Sequence, residues 1–340
     1  MLHGHGDDAY RYQHKIEADF STNVWYGGEP AGLKEHLFGQ WPMIKKYPEV
    51  VAESLGEQVA RHHQVKPGEV LVTNGTTESI YLLAQVFRGK RTTITIPAFA
   101  EYEDACRMHQ HAVDFLPWEE LATIPLLQTD LLFICNPNNP TGSVFLALEE
   151  LLVKNPQTLF IVDEAFIEFT LSLETAIPLL HHYPNLLILR SMTKAFAIPG
   201  LRLGYVVAHE NLIHQLKGFK SPWSVNALAI AAGRFIFDHL PHLQVPVDQL
   251  LIDKEDFAAR LQQEAGVTVY PSHTHFFLAQ TTQGTAAQLK HYLIDQSGLL
   301  IRDAGNFRGL SPQHFRVATL VPAQNHLLIV ALAQWKNHCS

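Results

Sequence analysis

Short apolar runs, each followed by a polar turn and then a helical pattern, constrain the fold of this 340-residue chain most strongly. The run at 159–162 ends in Asp163-Glu164, and the run at 186–189 leads to Ser191 and Lys194. Such runs have the length of buried strands. Strands that alternate with helices predict an α/β fold, a three-layer sandwich with a mostly parallel central sheet. The predicted strands are residues 69–73, 92–96, 130–135, 159–162 and 186–189.

Polar residues follow each of these strands. Taken singly, they have ordinary explanations: Thr76 or Thr77 caps a helix, Tyr102 packs, and Asn139 forms a turn. Ligands of parallel sheets, however, bind beyond the carboxyl ends of the strands, where all these residues are expected. This shared position predicts a ligand site. Its candidates are Gly75, Thr76, Thr77, Tyr102, Asn139, Asp163, Ser191, Thr193, Lys194 and Arg202.

Lys194 is the candidate with the most specific chemistry. A lysine near a dry strand end can lose its proton and form a Schiff base, although a lysine after a strand is more often a surface residue. Ser191, Thr193 and Arg202 flank it, and each can bind phosphate. A ligand with an aldehyde and a phosphate satisfies both requirements, which predicts pyridoxal phosphate as the cofactor.

This cofactor gives the candidates their expected roles. Asp163 would keep the ring nitrogen protonated, Asn139 would bond the ring hydroxyl, and Tyr102 would stack on the ring. Lys194 would hold the cofactor and later act as acid and base, so its pKa must fall from about 10.4. We therefore expect Lys194, Asp163 and Tyr102 to be catalytic. The phosphate would lie among Gly75, Thr76, Thr77, Ser191, Thr193 and Arg202.

The length indicates roughly two domains. Residues 1–45 show no long periodic helix and are interpreted as an N-terminal arm that is part of the small domain. Residues 46–237 contain the predicted parallel strands and form the large, pyridoxal-phosphate-binding domain. Residues 238–340 mix short strands with helices and predict a small α+β domain.

Two arginines in the predicted small domain, Arg302 and Arg316, lie at strand ends. A guanidinium binds a carboxylate or a phosphate in a bidentate manner, so the pair indicates a doubly anionic small-molecule substrate. A surface ion pair is the alternative for each arginine alone.

Composition excludes several other classes of function. The net charge of −8 and the lack of a basic run argue against nucleic acid or membrane partners. Three scattered cysteines and the absence of a signal segment predict a cytoplasmic protein. The 20 histidines show no metal-ligand spacing, so no metal site is expected.

Three motifs resemble fold-type I pyridoxal-phosphate enzymes of the class I/II aminotransferase group. They are Asn136-Pro-Asn-Asn-Pro-Thr-Gly142, Asp163-Glu-Ala165, and Ser191-x-Thr-Lys194 with Gly200-Leu-Arg-Leu-Gly204. Together they are specific, and the resemblance extends over nearly the whole chain.

Two branches of this group compete. Histidinol-phosphate aminotransferases usually have a tyrosine where this chain has Phe166. In this departure the chain resembles the L-threonine-O-3-phosphate decarboxylases of cobalamin synthesis. The leading hypothesis is therefore decarboxylation of L-threonine O-3-phosphate to 1-aminopropan-2-ol phosphate. Transamination of the histidinol-phosphate type is the alternative. A regulatory domain that binds the cofactor without catalysis is a third possibility.

The resemblance also implies roles that the residue pattern alone does not give. Arg316 would bind the substrate carboxylate, while Arg302, His3 and Asn23 would lie near the substrate phosphate. Tyr47 would reach the cofactor phosphate of a neighbouring subunit, which implies a homodimer.

Overall fold

The computed structural model describes residues 8–12, 16–123, 126–243 and 245–338. The strands in these ranges are β1 (Ala18–Asp19), β2 (Val70–Thr73), β3 (Arg91–Ile96), β4 (Ala112–Pro117), β5 (Leu131–Cys135), β6 (Leu159–Asp163), β7 (Leu186–Ser191), β8 (Gly204–Ala208), β9 (Thr268–Val269), β10 (Phe276–Gln280), β11 (Leu299–Leu300), β12 (Arg302–Asp303) and β13 (His314–Ala318). The α-helices are α1 (Leu33–Gly39), α2 (Glu53–His63), α3 (Gly75–Val86), α4 (Glu101–Met108), α5 (Leu148–Lys154), α6 (Glu210–Phe219), α7 (Ala227–His239), α8 (Val247–Arg260), α9 (Ala286–Ser297) and α10 (Pro322–His338).

Seven strands form the central sheet in the order β2-β8-β7-β6-β5-β3-β4. Strands β3 to β7 pair in parallel, whereas β8 runs antiparallel to both β2 and β7. Asp163 at the end of β6 lies beside Cys135 of β5 and Leu189 of β7. The carboxyl ends of these three strands therefore meet at one edge, and the predicted mostly parallel sheet is confirmed.

Helices cover both faces of this sheet. Leu132 and Ile134 of β5 lie in one core with α2, α5 and α7. Leu131 and Phe133 of the same strand lie in the opposite core with α3, α4 and α6. A strand buried on both faces must be apolar at nearly every position, which explains the continuous apolar runs of the sequence. The predicted three-layer α/β fold is confirmed.

The alternation of side chains along the strands decides what points towards α3 and α4. Ile161 of β6 and Leu189 of β7 belong to the core on that face. Asp163 and Ser191 lie two residues further along the same strands, so their side chains point to the same side. The pleat thus brings the two predicted site residues together.

A second, smaller sheet is antiparallel, with the strand order β12-β13-β10-β9. Helices α8, α9 and α10 pack on it around a core that includes Phe257. Strand β1 pairs in parallel with β11, and Phe20 joins the same core. By contrast, Leu33 of α1 lies in the core of the large sheet. The domain boundaries at residues 45 and 237 stay predictions.

Two strands of the central sheet, β4 and β8, were not predicted. Strand β4 pairs with β3 at the edge of the sheet, and its Ala112 and Asp114 are exposed, so it has no continuous apolar run. Strand β8 begins at Gly204, directly after the predicted phosphate-binding stretch, with a 3-10 turn (Pro199–Leu201) instead of a helix before it. Its antiparallel direction breaks the strand–helix alternation on which the prediction depended.

Candidate active site

Nearly all predicted site residues meet in one cavity of about 570 Å³ at the carboxyl edge of the central sheet. The cavity lies between this edge and the small sheet, because residues of both line it. The predicted residues that line it are Asn23, Gly75, Thr76, Thr77, Tyr102, Asn139, Asp163, Ser191, Thr193, Lys194, Arg202, Arg302 and Arg316.

Two predicted residues are not placed in this cavity. Tyr47 lies in the segment between α1 and α2, and its side chain is 83% exposed. Its ring packs 5.0 Å from that of Trp223, measured between centroids. His3 lies outside the described residues.

Asp163 is a carboxylate held in an apolar environment. Its Oδ2 accepts a hydrogen bond of 2.7 Å from the Tyr102 hydroxyl, and its Oδ1 accepts one of 3.0 Å from the Ala165 N–H. Burial raises the pKa of Asp163 to about 6, although both hydrogen bonds and the charge of Lys194 act to lower it. Such a carboxylate attracts a cationic N–H strongly, because little water screens the pair.

Tyr102 is fully buried beside Asp163. Its ring stacks on Phe133 at a centroid distance of 5.1 Å and an interplanar angle of 22°. Burial, followed by the nearby Asp163 charge, raises the pKa of the Tyr102 phenol well above its usual value, so the hydroxyl is a neutral donor. The stacking of Tyr102 on a cofactor ring stays a prediction.

The amino end of α3 and the turn after β7 form an anion cradle. Helix α3 begins at Gly75 (φ +74°) without a side-chain cap, so its first N–H groups and the positive end of its dipole are open to a ligand. A Cβ at Gly75 would lie 2.6 Å from Nη2 of Arg202, so glycine permits this close approach. Across the cradle, the Ser191 and Thr193 hydroxyls lie 2.8 Å apart.

Lys194 lies on the turn that follows β7, and its side chain lines the cavity. Its main-chain carbonyl accepts a hydrogen bond of 2.9 Å from the Trp25 N–H, which ties this turn to the N-terminal segment. Asp163 lines the same cavity, and the charge of Lys194 acts to lower its pKa. The structure therefore places a primary amine and a buried carboxylate in one cavity.

Arg302 and Arg316 are direct cross-strand partners on β12 and β13. Arg316 is buried, and its two terminal nitrogens donate to Asn139 Oδ1 and to the Ser21 carbonyl, each at 2.5 Å. Burial lowers the pKa of both guanidinium groups, and the charge of Arg302 lowers that of Arg316 further. Like charges directly opposite each other are destabilising, so the pair favours an anionic ligand.

Asn23 and His275 are buried polar residues beside this pair. Neither polar atom of the Asn23 side chain has a hydrogen-bond partner. The His275 ring packs 3.9 Å from that of Phe169, measured between centroids. Burial lowers the pKa of His275 to about 3; a hydrogen bond to the Asn23 backbone acts to raise it, while the charges of Arg316 and Lys194 lower it. The sequence prediction missed His275, because its spacing from His273 resembles one of many chance histidine pairs.

The far wall of the cavity was also not predicted. It contains Phe115 of β4, Glu103 of α4 and the segment 305–310 between β12 and β13. Arg308 of that segment contacts Glu103. Because β4 was not recognised and the segment belongs to another sheet, no local motif could indicate this wall.

Two kinds of feature are absent from the ranges that the structure describes. No group of three or more His, Cys, Asp or Glu side chains there could hold a metal ion. None of the helices in those ranges combines the length and the apolar character that crossing a membrane requires.

The fold and the cavity together define a fold-type I pyridoxal-phosphate enzyme. The residues present fit this cofactor: a carboxylate with a raised pKa for the ring nitrogen, an uncapped helix end with hydroxyls and a guanidinium for the phosphate, and a lysine for the aldehyde. The unpartnered amide of Asn23 leaves further polar capacity for a ligand.

Comparison with known proteins gives the family. The family model for aminotransferase class I and II matches residues 19–332, and the chain belongs to this family. The crystal structure of L-threonine-O-3-phosphate decarboxylase from Porphyromonas gingivalis has a TM-score of 0.92 and 40% sequence identity, covering 94% of this chain and 99% of that chain. The chain is thus a pyridoxal-phosphate-dependent enzyme, and the prediction of family and cofactor is confirmed.

Curated relatives include both predicted branches. Threonine-phosphate decarboxylase of Salmonella typhimurium is 35% identical over 330 residues, covering 92% of this chain and 90% of that protein. Histidinol-phosphate aminotransferase of Thermoanaerobacter pseudethanolicus is 31% identical over 284 residues, covering 78% of each. Both branches therefore remain relevant to the reaction.

Proposed function

We propose that the chain decarboxylates L-threonine O-3-phosphate to 1-aminopropan-2-ol phosphate, a reaction of cobalamin synthesis. The observation that carries this proposal is the buried cross-strand pair of Arg302 and Arg316. The proposed substrate has one carboxylate and one phosphate, so it would neutralise both guanidinium groups at once. The similarity to two threonine-phosphate decarboxylases supports the same reaction.

The proposed cofactor contacts follow the cavity from one side to the other. Lys194 would hold the aldehyde carbon, and Asp163 would hold the proton on the ring nitrogen. Because Asn139 Oδ1 already accepts a bond from Arg316, its Nδ2–H remains to donate to the ring oxygen. The phosphate would lie in the anion cradle formed by Gly75, Thr76, Thr77, Ser191, Thr193 and Arg202.

The proposed substrate contacts lie on the small-sheet side of the cavity. Arg316 would bind the carboxylate, and its own contact with Asn139 would hold that carboxylate near the cofactor ring. Arg302 and Asn23 would bind the phosphate, together with His3 from the N-terminal segment. The two unpartnered polar atoms of Asn23 are available for this purpose.

The reaction replaces the carboxylate on Cα with a proton. The bound cofactor supplies electron withdrawal that weakens the bonds to Cα. Arg316 would orient the carboxylate for departure as carbon dioxide, while the buried Phe166 and Tyr102 help exclude water from the cavity. Nζ of Lys194 would then deliver the proton to Cα, and Tyr102 would steady the ring.

Carbon dioxide release from cofactor-loaded protein supplied with threonine phosphate tests the proposal. We expect one mole of carbon dioxide to be released for each mole of 1-aminopropan-2-ol phosphate formed. Phosphoserine and threonine serve as matched controls, because each lacks one feature of the substrate. Absence of carbon dioxide from threonine phosphate, or equal release from phosphoserine and threonine, contradicts the proposal.

Transamination of the histidinol-phosphate type is the second candidate, and the similarity to histidinol-phosphate aminotransferases supports it. Histidinol phosphate has a phosphate but no carboxylate, so it would engage one of the two arginines. Formation of glutamate from histidinol phosphate and 2-oxoglutarate, without carbon dioxide release from threonine phosphate, would establish this candidate instead.

A homodimer in the cytoplasm is the proposed state of the enzyme, in which Tyr47 reaches the cofactor phosphate of the neighbouring subunit. Its support is an exposed apolar surface around Tyr47, which a second copy would cover. The large exposed side chains of this surface are Phe38, Trp41, Met43, Ile44, Tyr47, Val50 and Trp223.

Subunit mixing tests this arrangement. Lys194→Ala and Tyr47→Ala variants are expected to be weak or inactive alone. A mixed dimer carries both substitutions in one site and neither in the other, so activity should reappear after the two proteins are refolded together. No recovery, although sedimentation shows mixed dimers, contradicts the proposed role of Tyr47.

A further inference from the structure

The segment 305–310, here called the strap, connects β12 to β13 and lines the cavity along its whole length. It also contacts Arg302, which lies on β12 three residues before the strap begins. Nη2 of Arg302 donates to Asn306 Oδ1 at 2.9 Å, and its guanidinium lies 5.2 Å from the ring centroid of Phe307. Nη1 of Arg302 also donates to the main-chain carbonyl of Asp303 at 2.7 Å. The strap therefore supplies two of the contacts that position the Arg302 guanidinium in the cavity.

The strap is fastened to the opposite side of the cavity by Arg308. Its Nη2 donates to Glu103 Oε1 at 2.8 Å and its Nε donates to Glu103 Oε2 at 3.0 Å, which makes the contact bidentate. The same guanidinium lies 4.1 Å from the ring centroid of Phe115. Glu103 belongs to α4 and Phe115 to β4, so Arg308 joins the small sheet to the large one across the cavity.

We propose that Glu103 and Arg308 form a latch that holds the strap closed and so positions Arg302 for the phosphate of the substrate. This inference rests on the proposed function, because it assigns Arg302 to a phosphate. Arg302 lies directly opposite Arg316, and repulsion between the two charges favours displacement of one of them. Asn306 and Phe307 oppose this displacement, and the latch fixes the segment that carries both.

Glu103 offers a matched control within the same helix. Its Oε1 also accepts a hydrogen bond of 2.6 Å from Nε of Arg107, one turn further along α4. Arg107 and Arg308 are thus two partly exposed arginines on one carboxylate, and only the second of them crosses the cavity. A general effect of charge at Glu103 would appear when either arginine is replaced. An effect of the latch would appear only when Arg308 is replaced.

Binding of inorganic phosphate to the cofactor-loaded protein provides the test, since the cofactor then fills the anion cradle. We expect Arg308→Gln to weaken phosphate binding about threefold to tenfold in calorimetry, because the strap then loses one exposed ion pair and one cation–π contact that hold it in place. Arg107→Gln should leave binding unchanged. The exchanged pair Glu103→Arg with Arg308→Glu should recover part of the loss, while the cofactor absorbance remains that of the unmodified protein.

Equal binding by the Arg308 and Arg107 variants would overturn the latch, as would an exchanged pair that binds no better than Arg308→Gln alone. In steady-state assays with threonine phosphate, the latch predicts a raised KM with little change in kcat. If no decarboxylation occurs but phosphate binding follows the expected pattern, the proposed reaction is wrong and the latch stands. The two failures are therefore distinguishable.

Discussion

The two sides of the cavity are assembled in different ways. On the large-sheet side, Asp163 and Ser191 end the neighbouring parallel strands β6 and β7, and the pleat points their side chains to the same side. Lys194 lies on the turn directly after β7. On the small-sheet side, Arg302 and Arg316 meet through antiparallel pairing of segments that are joined by the strap. One side depends on local strand ends, and the other on contacts between distant parts of the chain.

The two sides of the cavity also differ in their proposed roles, which are catalysis with the cofactor on one side and recognition of the substrate on the other. The large-sheet side carries the groups proposed to hold and activate the cofactor, and it gains rigidity from strands buried on both faces. The small-sheet side carries two directly opposite arginines, which repel each other and are proposed to bind the anionic groups of the substrate. Substitutions on the first side should abolish turnover, whereas those on the second should change which substrate is bound and how tightly.

Loss of Lys194 should have the largest effect. Lys194→Ala removes the amine that is proposed to hold the cofactor and move the proton, so turnover should fall by at least about 10³-fold. Carbon dioxide release and the absorbance of the bound cofactor measure this change. Lys217→Ala, at an exposed position on α6, is the control. Undiminished turnover in Lys194→Ala would exclude its catalytic role.

Loss of Arg316 should come next. Arg316→Gln removes a buried charge that contacts both Asn139 and Ser21, and we expect kcat/KM to fall about a hundredfold or more. Arg316→Lys should recover little, because lysine cannot reproduce the bidentate geometry. Steady-state kinetics on threonine phosphate give the measurement, with Arg234→Gln on α7 as an exposed control. Full activity in Arg316→Gln would place carboxylate binding elsewhere.

The same division explains how much could be predicted from the sequence. Strand-end residues such as Asn139 and Asp163 could be recognised because strand, turn and helix signals are local. His275 and Arg308 carried no such signal, since their neighbours in space are far away in the chain. Their environment arises only after the small sheet packs against the cavity. Strand β4 was missed for a related reason, since an edge strand does not need a continuous apolar run.

A pH effect on stability tests the burial of His275. Its pKa is lowered to about 3 from 6.5, so the unfolded chain takes up the proton more readily than the folded one. Stability from the neutral ring is complete above pH 6.5 and is lost as the pH falls towards 3. At pH 5, which is about 1.5 units below the unfolded value, the free energy of unfolding should be about 2 kcal/mol lower from this group.

Denaturant unfolding of the cofactor-free protein between pH 7 and 5 measures this loss. His275→Asn should show a smaller decrease over that interval than the unmodified chain. His214→Asn, at an exposed position on α6, should retain the full decrease. An identical decrease in both variants would mean that the His275 ring is not buried as a neutral group.

Replacement of Asn23 should have the smallest effect of these substitutions, and it should change substrate binding without lowering the stability of the fold. Its side chain is 2% exposed and neither of its polar atoms has a partner, so the free enzyme gains nothing from the amide. Asn23→Ala should leave Tm unchanged or slightly raised. A hydrogen bond to a charged phosphate would be lost, and KM for threonine phosphate should rise about tenfold. A clear fall in Tm with an unchanged KM would instead make Asn23 a packing residue, and the small-sheet side would then bind the phosphate through its arginines without this amide.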